Sequence, residues 1–363
     1  MKQEKMRPPA LPTPMTALKN NTTSIMGQKK GFVNMAVKKP NELDFSAKTF
    51  MCIISGQPGV GKTTMALSAP DPFLDDTDNG IARVRAEHRC VSSNVNSYEE
   101  LLDDMKSAEY KAAKTIVVDT GGTLVQLMKA WAKKQDRKAA SDGRAMYGVI
   151  KQEFDRLCHQ IRILDRKHLV VVFHTTEQQK GDSIQTRLAC EGGAKDIVWT
   201  PADFGGHMFM QGNRRMIGFT PTDEYFAKGC FGIAGLHEIP ELRPGVKNTF
   251  LTDLFEAAQK SINDEAAVYA ADKAKYDDAM EKGRGLIQHI KSAEAANFAA
   301  KSIGQMDHAL TSRAELLTAF KNKCKELGLK FNKQTKLYEE EPKDEEVLDD
   351  AKPVEQLDVL SDG

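Results

Sequence analysis

The segment from Ser55 to Ser68, Ser-Gly-Gln-Pro-Gly-Val-Gly-Lys-Thr-Thr-Met-Ala-Leu-Ser, constrains the fold more than any other part of the chain. Gly56, Gly61, Lys62 and Thr63 complete G-x-x-x-x-G-K-[ST], a pattern that works between a strand and a helix. Phe50-Met51-Cys52-Ile53-Ile54 ahead of it reads as a buried parallel strand, and Thr64-Met65-Ala66-Leu67 behind it as a first helical turn. The sheet must then be largely parallel, with crossover helices on its faces.

The chemistry follows from backbone geometry. Gly56, Gly59 and Gly61 let Gly56-Gln57-Pro58-Gly59-Val60-Gly61-Lys62-Thr63-Thr64 curl with its N–H groups inward, around the α- and β-phosphates of a nucleoside triphosphate. The positive end of the following helix adds to that cradle. Lys62 is expected on the β- and γ-phosphates, and the Thr63 hydroxyl on Mg²⁺. The expected ligands are ATP and Mg²⁺.

The 363 residues leave room for one α/β domain plus additions, and a formal net charge of zero names no partner. Charge is nonetheless unevenly placed. Residues 1–47 are basic and proline-bearing, and the stretch from Glu339 is strongly acidic, a pattern of solvated termini. The basic arm reads either as a nucleic-acid contact or as a solubilising tail. Six scattered cysteines without C-x-x-C spacing fit reduced thiols better than disulfides or a zinc site. Cys158-His159 is no catalytic pair, because adjacent helical residues point apart. With no membrane-length apolar run and no signal-peptide core, the expectation is a soluble protein of the cytoplasm.

Four further stretches bear on the site. Pro72 to Gly80 reads as a short strand at Phe73-Leu74 ending in carboxylates, so Asp76 and Asp78 either face the nucleotide or make an Asp/Asn/Gly turn. Thr115-Ile116-Val117-Val118-Asp119 is an apolar strand ending in the carboxylate that should complete the Mg²⁺ site opposite Thr63. Thr120-Gly121-Gly122 after it makes a weak D-x-x-G, but the guanine-reading N-K-x-D is absent: Asn332-Lys333-Gln334-Thr335 lacks the aspartate. Leu169 to Phe173 is another buried strand, and His174 at its tip either senses the γ-phosphate or is structural.

Between these, Tyr98, Leu101, Leu102 and Met105 predict a helix, as do residues 124–134. Gln135 to Arg144 reads as a mobile basic loop. Tyr147 to Leu164 predicts a long helix with Ile150, Phe154, Leu157, Ile161 and Leu164 toward the core. Gln178 to Lys195 is too long for a simple connection and is either functional or disordered. Met208 to Phe219 predicts an antiparallel hairpin turning at Gln211-Gly212-Asn213. The organisation expected is a basic arm (1–47), an α/β nucleotide domain (48–257), a helical region (258–337) and an acidic tail (338–363). The helical region is either a small bundle or a partner-binding arm.

This ordered set resembles the RecA-like ATPases, and most nearly the phage-encoded nucleotide-binding proteins that act as RecA-like single-strand annealing recombinases. The likeness runs from about Thr49 to Leu254. It implies a mainly parallel RecA-like core with a C-terminal antiparallel hairpin, Mg²⁺-dependent ATP hydrolysis, and assembly as a ring or filament in the host cytoplasm. By the resemblance, Asp78 falls where a glutamate activates the attacking water, and His174 falls on the family's strand ending in His. Ala227-Lys228-Gly229-Cys230-Phe231-Gly232 is similar to a Lys-x-Arg segment reaching the neighbouring subunit's γ-phosphate; Cys230 replaces the arginine, so only Lys228 carries over.

Three function classes follow. The first is an ATPase that binds single-stranded DNA and promotes annealing or strand exchange. Its DNA surface would draw on Lys133, Lys134, Arg137, Lys138 and Arg144, on Lys180 and Arg187, and on Arg214 and Arg215. With almost no aromatics in these loops, such binding would be mainly ionic. The second is a nucleotide-gated adaptor or helicase loader whose helical region engages a replication or recombination protein. The third, a small-molecule kinase, needs an arginine-rich lid, and no segment supplies one.

Overall fold

The computed structural model describes residues 47–180, 183–190 and 194–340. The basic arm to residue 46 and the tail from residue 341 lie outside the described residues.

Strand β1 (Met51–Gly56) is buried along its whole length because it sits between parallel neighbours on both sides. Its alternation serves two layers: Cys52 and Ile54 pack into one core, Met51 and Ile53 into the other. The remaining strands are β2 (Pro72–Asp76), β3 (Val91–Asn94), β4 (Thr115–Asp119), β5 (His168–Lys180), β6 (Ser183–Leu188), β7 (Phe204–Gln211), β8 (Arg214–Gly218) and β9 (Leu236–Ile239). Their order is β3-β2-β4-β5-β1-β7-β8-β9, with β6 paired to β5 alone. Pairing is parallel from β3 to β7 and antiparallel through β8 and β9. This is the expected mainly parallel sheet with an antiparallel hairpin toward its C-terminal edge, and β5 is inserted between β1 and the Asp119 strand.

One face carries α1 (Lys62–Ala66) and the start of α8 (Phe250–Gln288); the other carries α2 (Tyr98–Asp104), α4 (Gly121–Gln135) and α6 (Gly143–His159). A short α3 (Ala108–Ala112) leads into β4. Gly121 is fixed by packing: a Cβ there would stand 2.3 Å from the Phe173 ring. The D-x-x-G resemblance is thus a helix seated tightly on β5.

Several expectations change. Gln135 to Arg144 is not a loop: α5 (Arg137–Ser141) fills it, with the Asp136 and Asp142 carboxylates accepting from the N–H groups of Lys138 and Arg144 as N-caps. The helix expected to reach Leu164 ends in a π-turn over Gln160–Leu164, which rotates the register and leaves Leu164 exposed. Gln178 to Lys195 holds strand β6 and the start of α7 (Ala194–Trp199). The boundary expected at residue 257 falls inside α8, a continuous 39-residue helix.

Leu251, Leu254, Phe255, Ala258 and Ile262 bind the first end of α8 to the sheet; Ala279, Met280, Gly283 and Ile287 bury its last turns among α9 (Ala293–Gly304) and α10 (Ser312–Glu326). Residues 263–271 between them are exposed. That second cluster centres on Ile287, Ile303, Leu316 and Phe320, and a hairpin of β10 (Leu329–Asn332) and β11 (Leu337–Glu340) closes it. The tail therefore begins after a strand, with Glu339 and Glu340 paired to Lys330 and Leu329. Among the described residues no helix is long and apolar enough to cross a membrane.

The alternation of β2 turns Asp75 into the same core as Phe73 and Tyr98, where it is 2 % exposed. Its Oδ1 has no partner among the described residues, and burial raises its pKa well above the usual range, with Asp104 pushing the same way. The native state thus holds a proton that the unfolded chain releases near pH 4, so stability from this residue is lost as pH rises from there. Asp75→Asn is expected to melt a few degrees above wild type at pH 7, the gap closing toward pH 4 in thermal scans at both values.

Candidate nucleotide-binding site

The site lies where the carboxyl ends of β1, β4 and β2 line up beside the middle of β5: Gly56 is level with His174, and Asp119 with Val172 and Asp76. His174 is thus not the strand tip expected but lies within β5, which runs on to Lys180. Past β1 the chain turns through Gly59 (φ +82°) and Gly61 (φ +94°), left-handed conformations that favour glycine. The turn delivers Lys62 as the first residue of α1, with its ammonium folded back over the loop. Lys62 Nζ donates to the Gln57 carbonyl at 2.9 Å and stands 3.2 Å from His174 Nδ1. Burial lowers its pKa, Asp119 and Asp78 opposing that effect and Arg83 adding to it. A buried cation with so little compensation is suited to receive phosphate oxygens.

Thr63 Oγ1 donates to Asp119 Oδ2 at 2.5 Å. Burial raises the Asp119 pKa against that hydrogen bond. Gly80 closes the third side: a Cβ there would stand 3.0 Å from Asp119 Oδ2 and 3.5 Å from Thr63 Oγ1. A hydroxyl, a carboxylate and a gap kept open by glycine form a hard-oxygen donor set, which fits a Mg²⁺ ion carrying phosphate and water ligands.

The two carboxylates after β2 separate by role. Asp76 is 2 % exposed and accepts the backbone N–H groups of Asp78, Gly80 and Ile81, so it shapes the loop. Asp78 points outward, with Oδ2 2.9 Å from Arg83 Nη2 and 3.8 Å from His174 Nε2. His174 thus lies between Lys62 and Asp78, and a row Lys62–His174–Asp78–Arg83 crosses the mouth of the loop. Arg83 was not legible as part of it; the sequence offers only an arginine in a polar turn.

Residues 48–231, just over half of the chain, match the AAA domain family. The chain belongs to that family. No curated protein matches it. Among solved structures, a KaiC-like protein of the hyperthermophilic archaeon Pyrococcus horikoshii matches at 12% identity, covering 53% of this chain and 89% of that one, with a TM-score of 0.30.

Other expected residues of this AAA domain are placed elsewhere. Lys228, expected to reach a neighbouring subunit's nucleotide, stands away from this chain's own loop: its ammonium donates to the Ala202 carbonyl, before β7 and at the opposite end of the parallel strands. Arg215 is not a free surface cation, because Nε donates to Val60 O at 2.6 Å and the side chain lies against Gly61. It braces the loop from β8, a contact across 155 residues that no local pattern announces. Arg214 pairs with Glu238 and Lys134 with Glu99, both at the surface. Lys133, Arg137, Lys138 and Arg144 are exposed on α4, α5 and α6. Arg187 is on β6; Lys180 ends β5, and its side chain lies outside what is described.

Proposed function

We propose that the chain is an ATP-hydrolysing, single-strand DNA-binding protein of the recombination type that bacteriophages encode, acting as a homo-oligomer. The observation that carries this reading is the position of His174. It touches Lys62 on one side, approaches Asp78 on the other, and continues directly into the β5–β6 hairpin. A group midway along a strand that runs on from beside the phosphate loop into a β-hairpin suits a link between nucleotide state and a bound polymer.

In this mechanism the loop N–H groups and Lys62 bind and orient the triphosphate. Thr63 and Asp119 would hold the Mg²⁺ ion, which when bound neutralises charge on the β- and γ-phosphates. Asp78 accepts a proton from the attacking water, and the neighbouring Arg83 orients its carboxylate. His174 loses or keeps its contact with Lys62 according to whether a γ-phosphate is present.

A second reading, a nucleotide-gated adaptor, draws support from the separately cored helices at the far end of α8. One assay separates the two: ATP turnover with and without single-stranded DNA, for wild type and Asp78→Asn. The recombination reading expects DNA to raise turnover, and the substitution to lower it about 10²-fold with ATP affinity kept. Turnover indifferent to DNA rejects that reading in favour of the adaptor.

A further inference from the structure

A cavity lies on the opposite face of the same strands. It has a volume of about 130 Å³ and is lined by Ser55, Thr175, Thr186, Arg187, Leu188, Trp199, His207 and Phe226. Ser55, Thr175 and His207 are all more than nine-tenths buried. Thr175 Oγ1 has no hydrogen-bond partner among the described residues, an expensive state for a buried hydroxyl. Ser55 Oγ and His207 Nδ1 are 3.2 Å apart, and burial holds the His207 pKa down at about 4, so the imidazole is neutral. The floor therefore offers hydrogen-bonding groups but no charge.

The walls are aromatic. Trp199 and Phe226 meet edge to face with centroids 4.8 Å apart. The indole is held in place from below: a Cβ on Gly205 would stand 1.9 Å from it. Phe226 keeps 45 % of its surface exposed at the rim. Arg187 is also in the lining, as its one cationic residue, and makes no ion pair among the described residues. The basic loops lack aromatics in sequence; tertiary structure brings two rings to one of their arginines.

The geometry points to this cavity as the seat of a single unpaired nucleobase of a DNA strand, held against Trp199 and Phe226 with its phosphate on Arg187. A flat, uncharged heteroaromatic ring with polar edges matches a neutral polar floor beside a pair of aromatic rings, and the anionic linkage matches the arginine in the lining. Bases paired in a duplex cannot enter so small a space. The inference rests on the DNA-binding reading above and adds its contact point. It also ties that point to ATP, because Ser55 immediately precedes Gly56 of the phosphate loop and Thr175 immediately follows His174. On a strand, such neighbours face opposite sides of the sheet.

The test uses the full chain and a fluorescein-labelled oligothymidylate, with anisotropy read across a salt series. Phe226→Ala is expected to weaken binding roughly tenfold at every salt concentration, leaving the salt slope unchanged. Arg187→Ala should weaken binding and flatten the slope by about 0.7. Both should bind ATP as wild type does, which also reports correct folding. In the unmodified protein, photocrosslinking of 5-iodouracil in the oligonucleotide should map to Trp199 or Phe226. Wild-type binding that Phe226→Ala leaves intact, with cross-links elsewhere, overturns the nucleobase site and leaves the DNA-binding reading standing. Failure of the wild-type protein to bind the oligonucleotide removes that reading and the site with it.

Discussion

Lys62→Ala is expected to weaken ATP binding by about a hundredfold or more and to abolish turnover, in a protein that folds normally. The ammonium is the one charge the loop can place on the β- and γ-phosphates, and each charge-assisted hydrogen bond it makes is worth about 1.5–3 kcal/mol. Without nucleotide its contacts are modest, a single carbonyl and an imidazole, and burial already lowers its pKa. Its removal therefore costs the apo protein little. Thermal melts should separate the two effects: the unliganded melting temperature stays near wild type, while the rise produced by saturating MgATP disappears. A variant that still gains the full ligand-induced rise would exclude Lys62 from the phosphate site.

Asp119→Asn should preserve the fold and some ATP binding but reduce turnover by at least about two orders of magnitude, with a Mg²⁺ requirement shifted to higher concentration. The amide oxygen can still accept the Thr63 hydroxyl, so the contact between β4 and α1 survives. A neutral amide is a far poorer partner for a hard dication. The substitution also removes a carboxylate whose pKa burial raises, so the unliganded protein should be at least as stable as wild type. Mg²⁺ titrations of ATP turnover check this, and coinciding curves for the two proteins would place Asp119 away from the metal.

The sequence made the centre of the site legible because its parts are local. A strand, a glycine turn and a lysine within fourteen residues leave one geometry open, and Asp119 and His174 each stand at the end of a run of β-branched residues. What escaped was long-range or fine in register. The bracing of Val60 by Arg215 joins residues far apart in the chain, and the rings that line one cavity with Arg187 come from α7 and from the segment before Lys228. Asp136 and Asp142 were in plain view as caps, yet Gly143 and the surrounding charges pointed to a loop. Leu164 shows the other limit: one π-turn displaces a periodic position from the core without altering the sequence pattern. Asp76 and Asp78 could not be told apart by spacing; only the three backbone donors on Asp76 assign it to the loop and free Asp78 for solvent and His174.

Helix α8 begins against the phosphate loop's own helix: Thr252 N–H donates to the Ser68 carbonyl and Leu251 N–H to the Ser68 hydroxyl. From there it extends about 58 Å at 1.5 Å per residue. The ion pairs Lys260–Asp264, Lys273–Asp277 and Asp278–Lys282 flank its exposed middle and stiffen the helix on either side of it. Such an element works as a pointer. A tilt of about 5° where it leaves Ser68 would sweep its far end through roughly 5 Å, a displacement near one helical turn. Angular changes too small to disturb packing beside the loop are thereby magnified at the surface presented by α9 and α10.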